Sequence, residues 1–211
     1  MTHASLDIIR DEHRALSAML RSILLLLGEH RRRGTLPDFS ALRAMLFYVD
    51  EFPEKLHHPK ESRLLFPKLR GRGAGIDAVL DRLESDHAHG EHAIRELEHA
   101  LLGFEMMGET DQREARRDTF ERSMTRYVNF YLEHMHVEEV EVLPLAEAVL
   151  GTDAWAALDA AFLANCDPLT GHSSSLAYAP LFAKILRALA PSGSLGSALE
   201  ALSGRGPPKF A

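Results

Sequence analysis

Histidines and acids recur at regular spacing along this chain, in a pattern suited to holding a metal. Twelve of the 211 residues are histidines. Four of them fall on helical stripes of apolar residues: His13, His57, His87 and His134. Three of the four are followed by an acid four residues later, in the pairs His57 with Glu61, His87 with Glu91, and His134 with Glu138. Residues i and i+4 share one face of a helix, so each pair points into the same small volume.

An interior that collects these side chains needs a compensating positive charge, because an unpaired buried carboxylate is costly. A lone histidine on an apolar stripe is commonly a hydrogen-bonded core residue, and a lone His-x-x-x-Glu pair is commonly a surface ion pair. The joint pattern on four segments favours a metal site instead. Imidazole and carboxylate ligands without sulfur suit iron, manganese or zinc, and carboxylates can bridge two metals.

Four long helices are predicted to position these residues. Apolar residues repeat every three or four positions over about residues 5–33, 38–70, 76–107 and 111–150. Because the connections are short and rich in glycine, successive helices should run antiparallel. The sequence therefore predicts an all-α fold, with an antiparallel up-down-up-down four-helix bundle over residues 1–150. Three prolines in the second helix, Pro53, Pro59 and Pro67, predict at least one kink or short interruption.

The last quarter of the chain differs from the first 150 residues. Residues 151–211 lack the histidine and acid pattern and are denser in glycine, serine and proline. We expect short helices over about residues 154–164 and 176–190, a loop between them, and a flexible tail from about residue 191. This C-terminal helical extension is predicted to pack on the bundle or to form a homodimer.

Composition excludes several classes of protein. The 24 basic and 31 acidic residues give a net charge of −7, which argues against a nucleic-acid partner. The longest purely apolar run, residues 23–27, is too short to cross a membrane. The N-terminal residues show no signal-peptide core, so we expect a cytoplasmic protein. The single cysteine, Cys166, excludes an internal disulfide and a thiolate-rich metal site.

At these residues the chain resembles the hemerythrin-like, or HHE cation-binding, family. The matching stretches are IIRDEH at 8–13, FPEKLHHPKE at 52–61, LLFP at 64–67, HMHVEE at 134–139 and LP at 143–144. The resemblance covers roughly residues 5–150 and implies a left-handed four-helix bundle around two iron ions in an oxo- or hydroxo-bridged, non-haem centre. It also implies that the four stripe histidines are terminal ligands and that Glu61 and Glu138 bridge the irons.

The chain departs from the oxygen-carrying members of that family in two places. Those proteins have a His-x-x-x-His pattern on the third helix. In this chain the position of the second histidine is Glu91. A carboxylate there would favour the ferric state and disfavour reversible oxygen carriage. On the fourth helix they place an aspartate five residues after the histidine, where this chain has Glu139. We favour Glu138 as the ligand because position i+4 stays on the face of His134.

Several other residues near these ligands leave alternatives open. His58 lies three residues before Glu61 but points about 100° away from His57 on a regular helix, which favours a solvent-facing or supporting role over a ligand. Glu12 and Asp86 are expected to face outward. Tyr127 and Tyr131 are predicted to pack in the core or to hydrogen-bond a ligand carboxylate or a bridging oxygen species.

The predicted function is that of a non-haem di-iron protein that binds or senses oxygen, peroxide, nitric oxide or iron supply. The predicted ligands are His13, His57, Glu61, His87, Glu91, His134 and Glu138. Manganese or zinc remain alternatives to iron. One alternative function is a di-iron enzyme that acts on peroxide or nitric oxide. Another is a module in which a structural metal supports binding of a partner protein.

Overall fold

The computed structural model of this protein describes residues 3–164, Leu169 and residues 179–189. Within these residues every regular element is helical, which confirms the all-α prediction. The strict up-down order of a four-helix bundle stays a prediction. So does the homodimer, and the loop at 165–175 and the tail from about 191 fall almost entirely outside the described residues.

The described residues form four long helical segments and two shorter helices. Helix α1 is Ala4–Arg33 and helix α3 is Ile76–Met106. Helix α2 runs over residues 39–69 through Phe39–Val49, Asp50–His57, His58–Lys60, Glu61–Leu65 and Phe66–Leu69. Helix α4 runs over residues 113–149 through Arg113–Val137, Glu138–Val142 and Leu143–Val149. The shorter helices are α5, Thr152–Leu163, and α6, Ala179–Leu189.

The helix ends follow from local chemistry. Helix α1 ends at Gly34, whose φ of 64° is the left-handed conformation that glycine adopts at least cost. Helix α2 begins after Asp38, whose side chain accepts a hydrogen bond from the backbone N–H of Ala41. These caps stop and start the helices close to the boundaries that the sequence pattern predicts.

Helices α2 and α4 contain wider, π-helical turns at the level of the predicted site. The turns are Asp50–His57, Glu61–Leu65 and Glu138–Val142, and a proline lies within the first and shortly after each of the others. The two turns of α2 are the interruption that its prolines predict. Proline donates no N–H, and a π-helical turn holds an extra residue. As a result His57 and His58 are both buried, although they are adjacent in sequence.

The interior consists of two apolar layers with a polar layer between them. On α1 the lower apolar layer ends at Ile9 and the upper one begins at Leu16. On α3 the corresponding positions are Leu83 and Ile94. The histidines of α1, α2 and α3 fall in the gap between the two layers, and His134 of α4 lies where the layers meet, next to Met135 of one layer and close to Val137 of the other. Four helices therefore bring their polar residues to one depth.

The two shorter helices pack on the longer ones, α5 on α1 and α6 on α2. Asp159 of α5 accepts hydrogen bonds from the backbone N–H and the hydroxyl of Ser5, at 2.8 and 2.6 Å. Trp155 stacks on His3 with ring centroids 4.1 Å apart. None of the helices in the described part of the chain is long and apolar enough to span a bilayer.

Candidate metal centre

Six of the seven predicted ligands come together in the polar layer, and a fifth histidine joins them. The six are His13, His57, Glu61, His87, His134 and Glu138, and the additional histidine is His58. All seven are at most 8% exposed. They form two groups, one around His13 and His57 and the other around His58, His87 and His134, which we call the two-histidine group and the three-histidine group.

In the two-histidine group the Nε2 atoms of His13 and His57 are 3.2 Å apart. Oε1 of Glu61 lies 3.2 Å from Nε2 of His57. Oε2 of Glu138 lies 3.3 Å from Nε2 of His13. His13, His57 and Glu61 therefore each bring one ligand atom to the same point, and one oxygen of Glu138 lies beside His13.

In the three-histidine group the Nε2 atoms of His87 and His134 are 3.0 Å apart. Oε1 of Glu138 lies 3.3 Å from Nε2 of His134 and 3.7 Å from Nε2 of His87. Oε2 of Glu61 lies 3.6 Å from the same atom of His87. Each carboxylate thus sends one oxygen to each group, which is the arrangement that bridges two metal ions.

The four carboxylate oxygens show why a cation fits here. Both oxygens of Glu61 and both of Glu138 are buried without a well-formed hydrogen bond among the described residues, although imidazole nitrogens lie within 4 Å. Buried carboxylate oxygens without hydrogen bonds destabilise a fold unless a hydrogen-bond donor or a cation binds them. Two metal ions, each held by imidazole nitrogens and by one oxygen of each carboxylate, would satisfy all four oxygens.

His58 completes the three-histidine group, which the sequence pattern did not favour. Its ring stacks on that of His87, with centroids 4.3 Å apart and planes 12° apart. Its Nδ1 lies 3.1 Å from Oε2 of Glu54, so its Nε2 is the nitrogen left for a metal. Burial and the neighbouring His87, His57 and His134 charges hold the pKa of His58 well below its usual value, which keeps the imidazole neutral.

Every one of the five histidines has a hydrogen-bonding partner at Nδ1. The pairs are His13 with Glu139, His57 with Glu12, His58 with Glu54, His87 with Ser62 and His134 with Asp86. The distances run from 2.6 to 3.4 Å. A partner at Nδ1 fixes the ring orientation and leaves Nε2 as the ligand atom, as is usual for histidines that bind metals.

These pairs correct two expectations about acids that precede a stripe histidine. Glu12 and Asp86 were expected to face outward, but Glu12 is only 6% exposed and lies 2.6 Å from His57 of another helix. Asp86 likewise reaches His134 across the helix interface. Glu139 lies outside the group of converging atoms, as the preference for Glu138 supposed, and contacts His13 from the partly exposed side.

Glu91 is the predicted ligand that the structure does not bring to the site. Its side chain is 56% exposed and pairs with Arg95 at 2.5 Å. The buried residue at this level of α3 is instead Gly90. A Cβ on Gly90 would clash with the hydroxyl of Tyr131 and lie 3.0 Å from Oε1 of Glu54. Glu91 therefore adds no negative charge at the ligand atoms, and it gives no reason to expect a ferric state that disfavours reversible oxygen binding.

Glu54 is a buried acid that the sequence pattern missed. Its Oε1 accepts hydrogen bonds from the hydroxyls of Tyr127 and Tyr131, at 2.7 and 2.6 Å. Burial raises the pKa of Glu54, although the two tyrosine hydrogen bonds oppose that shift. The spacing of Glu54 and His58, four residues apart on α2, was the available signal. Both tyrosines pack in the core, as one of the alternatives for them predicted, and the carboxylate that they hydrogen-bond is Glu54 rather than a predicted ligand.

The pKa shifts show how the protein compensates its buried carboxylates with protons. Burial lowers the pKa of His134, but the nearby charge of Glu138 raises it to about 9. Burial likewise lowers the pKa values of His13 and His57, and nearby acids raise both above their ordinary value. Burial raises the pKa of Glu138, but His134 and its other imidazole partners hold it well below its usual range. Metal binding at these nitrogens must therefore release protons.

A small apolar cavity adjoins the two-histidine group. Its volume is about 10 Å³, which is enough for one water-sized molecule. The lining residues are Glu12, His13, Leu16, Phe52, Pro53 and His57. Phe162 of α5 also lies against His57, with ring centroids 6.0 Å apart. A larger surface groove of about 480 Å³, along α2, α3 and α6, is lined by none of the site residues.

Comparison with protein families agrees with this geometry. Residues 4–146 match the family model described as the hemerythrin HHE cation-binding domain. This chain belongs to that family, and the resemblance stated from its sequence motifs is confirmed. As a member it is a cation-binding protein. Comparisons with curated proteins and with solved structures each return no significant match.

Proposed function

We propose that this chain is a non-haem di-iron protein that binds a small ligand such as oxygen, peroxide or nitric oxide. The observation that carries the proposal is the division of the carboxylate oxygens: Glu61 and Glu138 each direct one oxygen to each histidine group. Such sharing is the geometry of two cations at one site. The ligand set of imidazoles and carboxylates suits iron, with manganese and zinc as alternatives.

Each part of the chain has a separate task in this proposal. Glu61 and Glu138 hold both ions, and the Nδ1 partners orient the five imidazoles. When bound, the iron pair supplies reversible electron transfer to a small ligand. Leu16, Phe52 and Pro53 line the cavity beside the two-histidine group with apolar surface, which admits a small uncharged molecule and limits the entry of water.

The two histidine groups differ in a way that selects the ligand position. The three-histidine group is covered by stacked rings of His58, His87 and Tyr131. The two-histidine group offers one imidazole fewer and has the cavity beside it. A ligand is therefore expected to bind on the side of His13 and His57.

Metal content and absorption test the proposal together. Anaerobic titration of the metal-free chain with ferrous iron should reach two irons per chain. The oxidised protein should then show near-ultraviolet charge-transfer bands that dithionite bleaches. Parallel titrations with manganese and zinc identify the preferred metal by competition. A stoichiometry well below two for every one of these metals would refute a dinuclear site.

A further inference from the structure

We propose that Glu54, with Tyr127, Tyr131 and Gly90, forms a positioning network that holds His58 in the one tautomer that can bind a metal. We call these four residues the Glu54 network. The inference rests on the proposed function, since it assigns His58 as a ligand of the second metal. The residues of the Glu54 network bind no metal themselves. They determine whether His58 is available as a ligand of the second metal.

The first step is the protonation of the His58 ring. Two phenol hydrogen bonds to Oε1 stabilise the ionised form of Glu54, and an ionised carboxylate only accepts hydrogen bonds. Oε2 of Glu54, 3.1 Å from Nδ1 of His58, therefore requires the proton to be on Nδ1. Nε2 then carries a lone pair, as a ligand nitrogen must. The opposite tautomer would leave two lone pairs facing each other at Glu54 and a proton where the metal should bind.

The second step is what holds Glu54 itself. Its Oε1 accepts two phenol hydrogen bonds, from Tyr127 and Tyr131 of α4, so the carboxylate is tied at one oxygen and presents the other to His58. Tyr131 also stacks on His58, with centroids 5.3 Å apart and planes 4° apart. Tyr131 therefore holds the carboxylate of Glu54 in place and also packs against the His58 ring that this carboxylate orients.

The third step is the space that the network needs. The Tyr131 hydroxyl occupies the position where any side chain at residue 90 would begin, so only glycine is compatible with it. Gly90 lies inside α3, where glycine is less favourable than alanine. Gly90 is unfavourable for the helix, but the Tyr131 hydroxyl requires it. This supports a specific role for the Tyr131 hydroxyl.

Burial separates Glu54 from two of the other Nδ1 partners, Asp86 and Glu139. The side chain of Glu54 is 1% exposed, whereas those of Asp86 and Glu139 are 16% and 42% exposed. Water can substitute for a partner near the surface but not for Glu54. His58 should therefore depend on its partner more than His13 or His134 does.

The isosteric variant Glu54→Gln tests the network directly. The glutamine oxygen can still accept both phenol hydrogen bonds, so its NH₂ group faces His58 and donates to Nδ1. The proton of His58 must then move to Nε2. Nitrogen-15 correlation spectra of the metal-free chain should show His58 protonated at Nδ1 in the natural sequence and at Nε2 in the variant.

Metal titration provides the second measurement. With cobalt(II) as the probe, the natural chain should bind two ions, and Glu54→Gln should weaken one of the two by about 10- to 100-fold. Tyr131→Phe keeps the ring and one phenol bond, so it should weaken the same ion less. Glu51→Gln, which removes an acid paired with exposed Lys55 on the same helix, is the matched control and should change neither ion.

Three results would overturn the network: His58 protonated at Nε2 in the natural chain, an unchanged tautomer in Glu54→Gln, or equal weakening by Glu51→Gln. Gly90→Ala should reproduce the loss at one ion, whereas Gly28→Ala, whose Cβ meets no atom within 4 Å, should not. The spectra need no metal. If the natural chain binds no metal, the di-iron proposal therefore fails while the tautomer measurement still decides the network.

Discussion

The same four long helices build two very different kinds of interior. In the apolar layers, residues such as Leu20, Met45 and Phe104 are fully buried and belong to one cluster of apolar side chains. In the polar layer between them, four oxygens of Glu61 and Glu138 are buried without a well-formed hydrogen bond. The contrast indicates that folding energy comes from the outer layers, and that the middle layer is kept, at a cost to stability, for its affinity for cations.

The largest effect should come from removing the shared carboxylates. The double variant Glu61→Gln with Glu138→Gln takes the bridging oxygens from both histidine groups at once. We expect metal content to fall from two ions to none, while the apolar layers keep the chain folded. Metal analysis and far-ultraviolet circular dichroism measure the two outcomes separately.

The control for that variant is Glu91→Gln, which changes an acid that has the same spacing from a histidine but lies on the surface. It should retain both metals. If the double variant unfolds instead of merely losing metal, the layers are not independent, and the alternative of a structural metal gains support.

Glu91 also shows how far sequence spacing could predict this site. The i+4 rule placed Glu61 and Glu138 correctly in the polar layer, because it needs only the geometry of one helix. It failed for Glu91 because Gly90 faces the interior at that level of α3. The four helices and their approximate ends were predictable because apolar spacing and glycine stops are local signals.

The remaining site residues depend on information that one helix does not contain. His58 turns inward because α2 has π-helical turns. From the prolines of α2, the sequence predicts only a kink or a short interruption. Glu12 and Asp86 find their partners on other helices, and Glu54 meets tyrosines of α4. Contacts between helices depend on their relative rotation, which the sequence period does not specify.

The next largest effect should come from truncating a core leucine in an apolar layer. Leu20→Ala removes a fully buried side chain from α1, which typically costs about 2–5 kcal/mol of unfolding free energy. Both metals should remain bound at temperatures where the variant is folded. Denaturant unfolding and metal analysis on the same samples check this, and loss of metal from folded protein would contradict the separation of layers.

Leu16→Ala sharpens the comparison because Leu16 lies one turn earlier and lines the cavity beside His13. Its stability cost should be similar to that of Leu20→Ala. In addition, it should enlarge the cavity and change the rate of nitric oxide binding to the ferrous protein, which stopped-flow absorption measures. Equal binding rates in the two variants would show that the cavity is not the ligand's route.

The polar layer should make the stability of the metal-free chain fall as pH rises from about 6.5 to 9. His13, His57 and His134 have raised pKa values, so each favours folding below its ordinary value of 6.5 and loses that contribution as it deprotonates. His58 has a lowered pKa and stays neutral in the folded chain, so its contribution has the opposite sign and is complete once the unfolded histidine has lost its proton, near the low end of this window. From a pKa of about 9, His134 alone contributes at most about 3 kcal/mol.

Metal affinity should change in the opposite direction over the same window, because metals replace these protons. Denaturant unfolding of chelator-treated protein and metal titration at several pH values measure the two slopes. His92→Gln, which alters an exposed histidine paired with Glu96, should leave both slopes unchanged. A metal-free stability that is flat or rising from pH 6.5 to 9 would mean that protons do not compensate the buried acids.

The smallest effect should come from the end of α2 that is farthest from the metal layer. Asp38→Ala removes the hydrogen bond to the N–H of Ala41, 3.1 Å away, and should cost about 1 kcal/mol of unfolding free energy. Asp38→Ser, which keeps a capping oxygen, should cost less. Both variants should bind two metals with unchanged affinity, because the cap lies about four turns before Glu54. A loss of metal affinity from Asp38→Ala would show that α2 transmits strain from its first turn to the polar layer, and that the two kinds of interior are coupled through this helix.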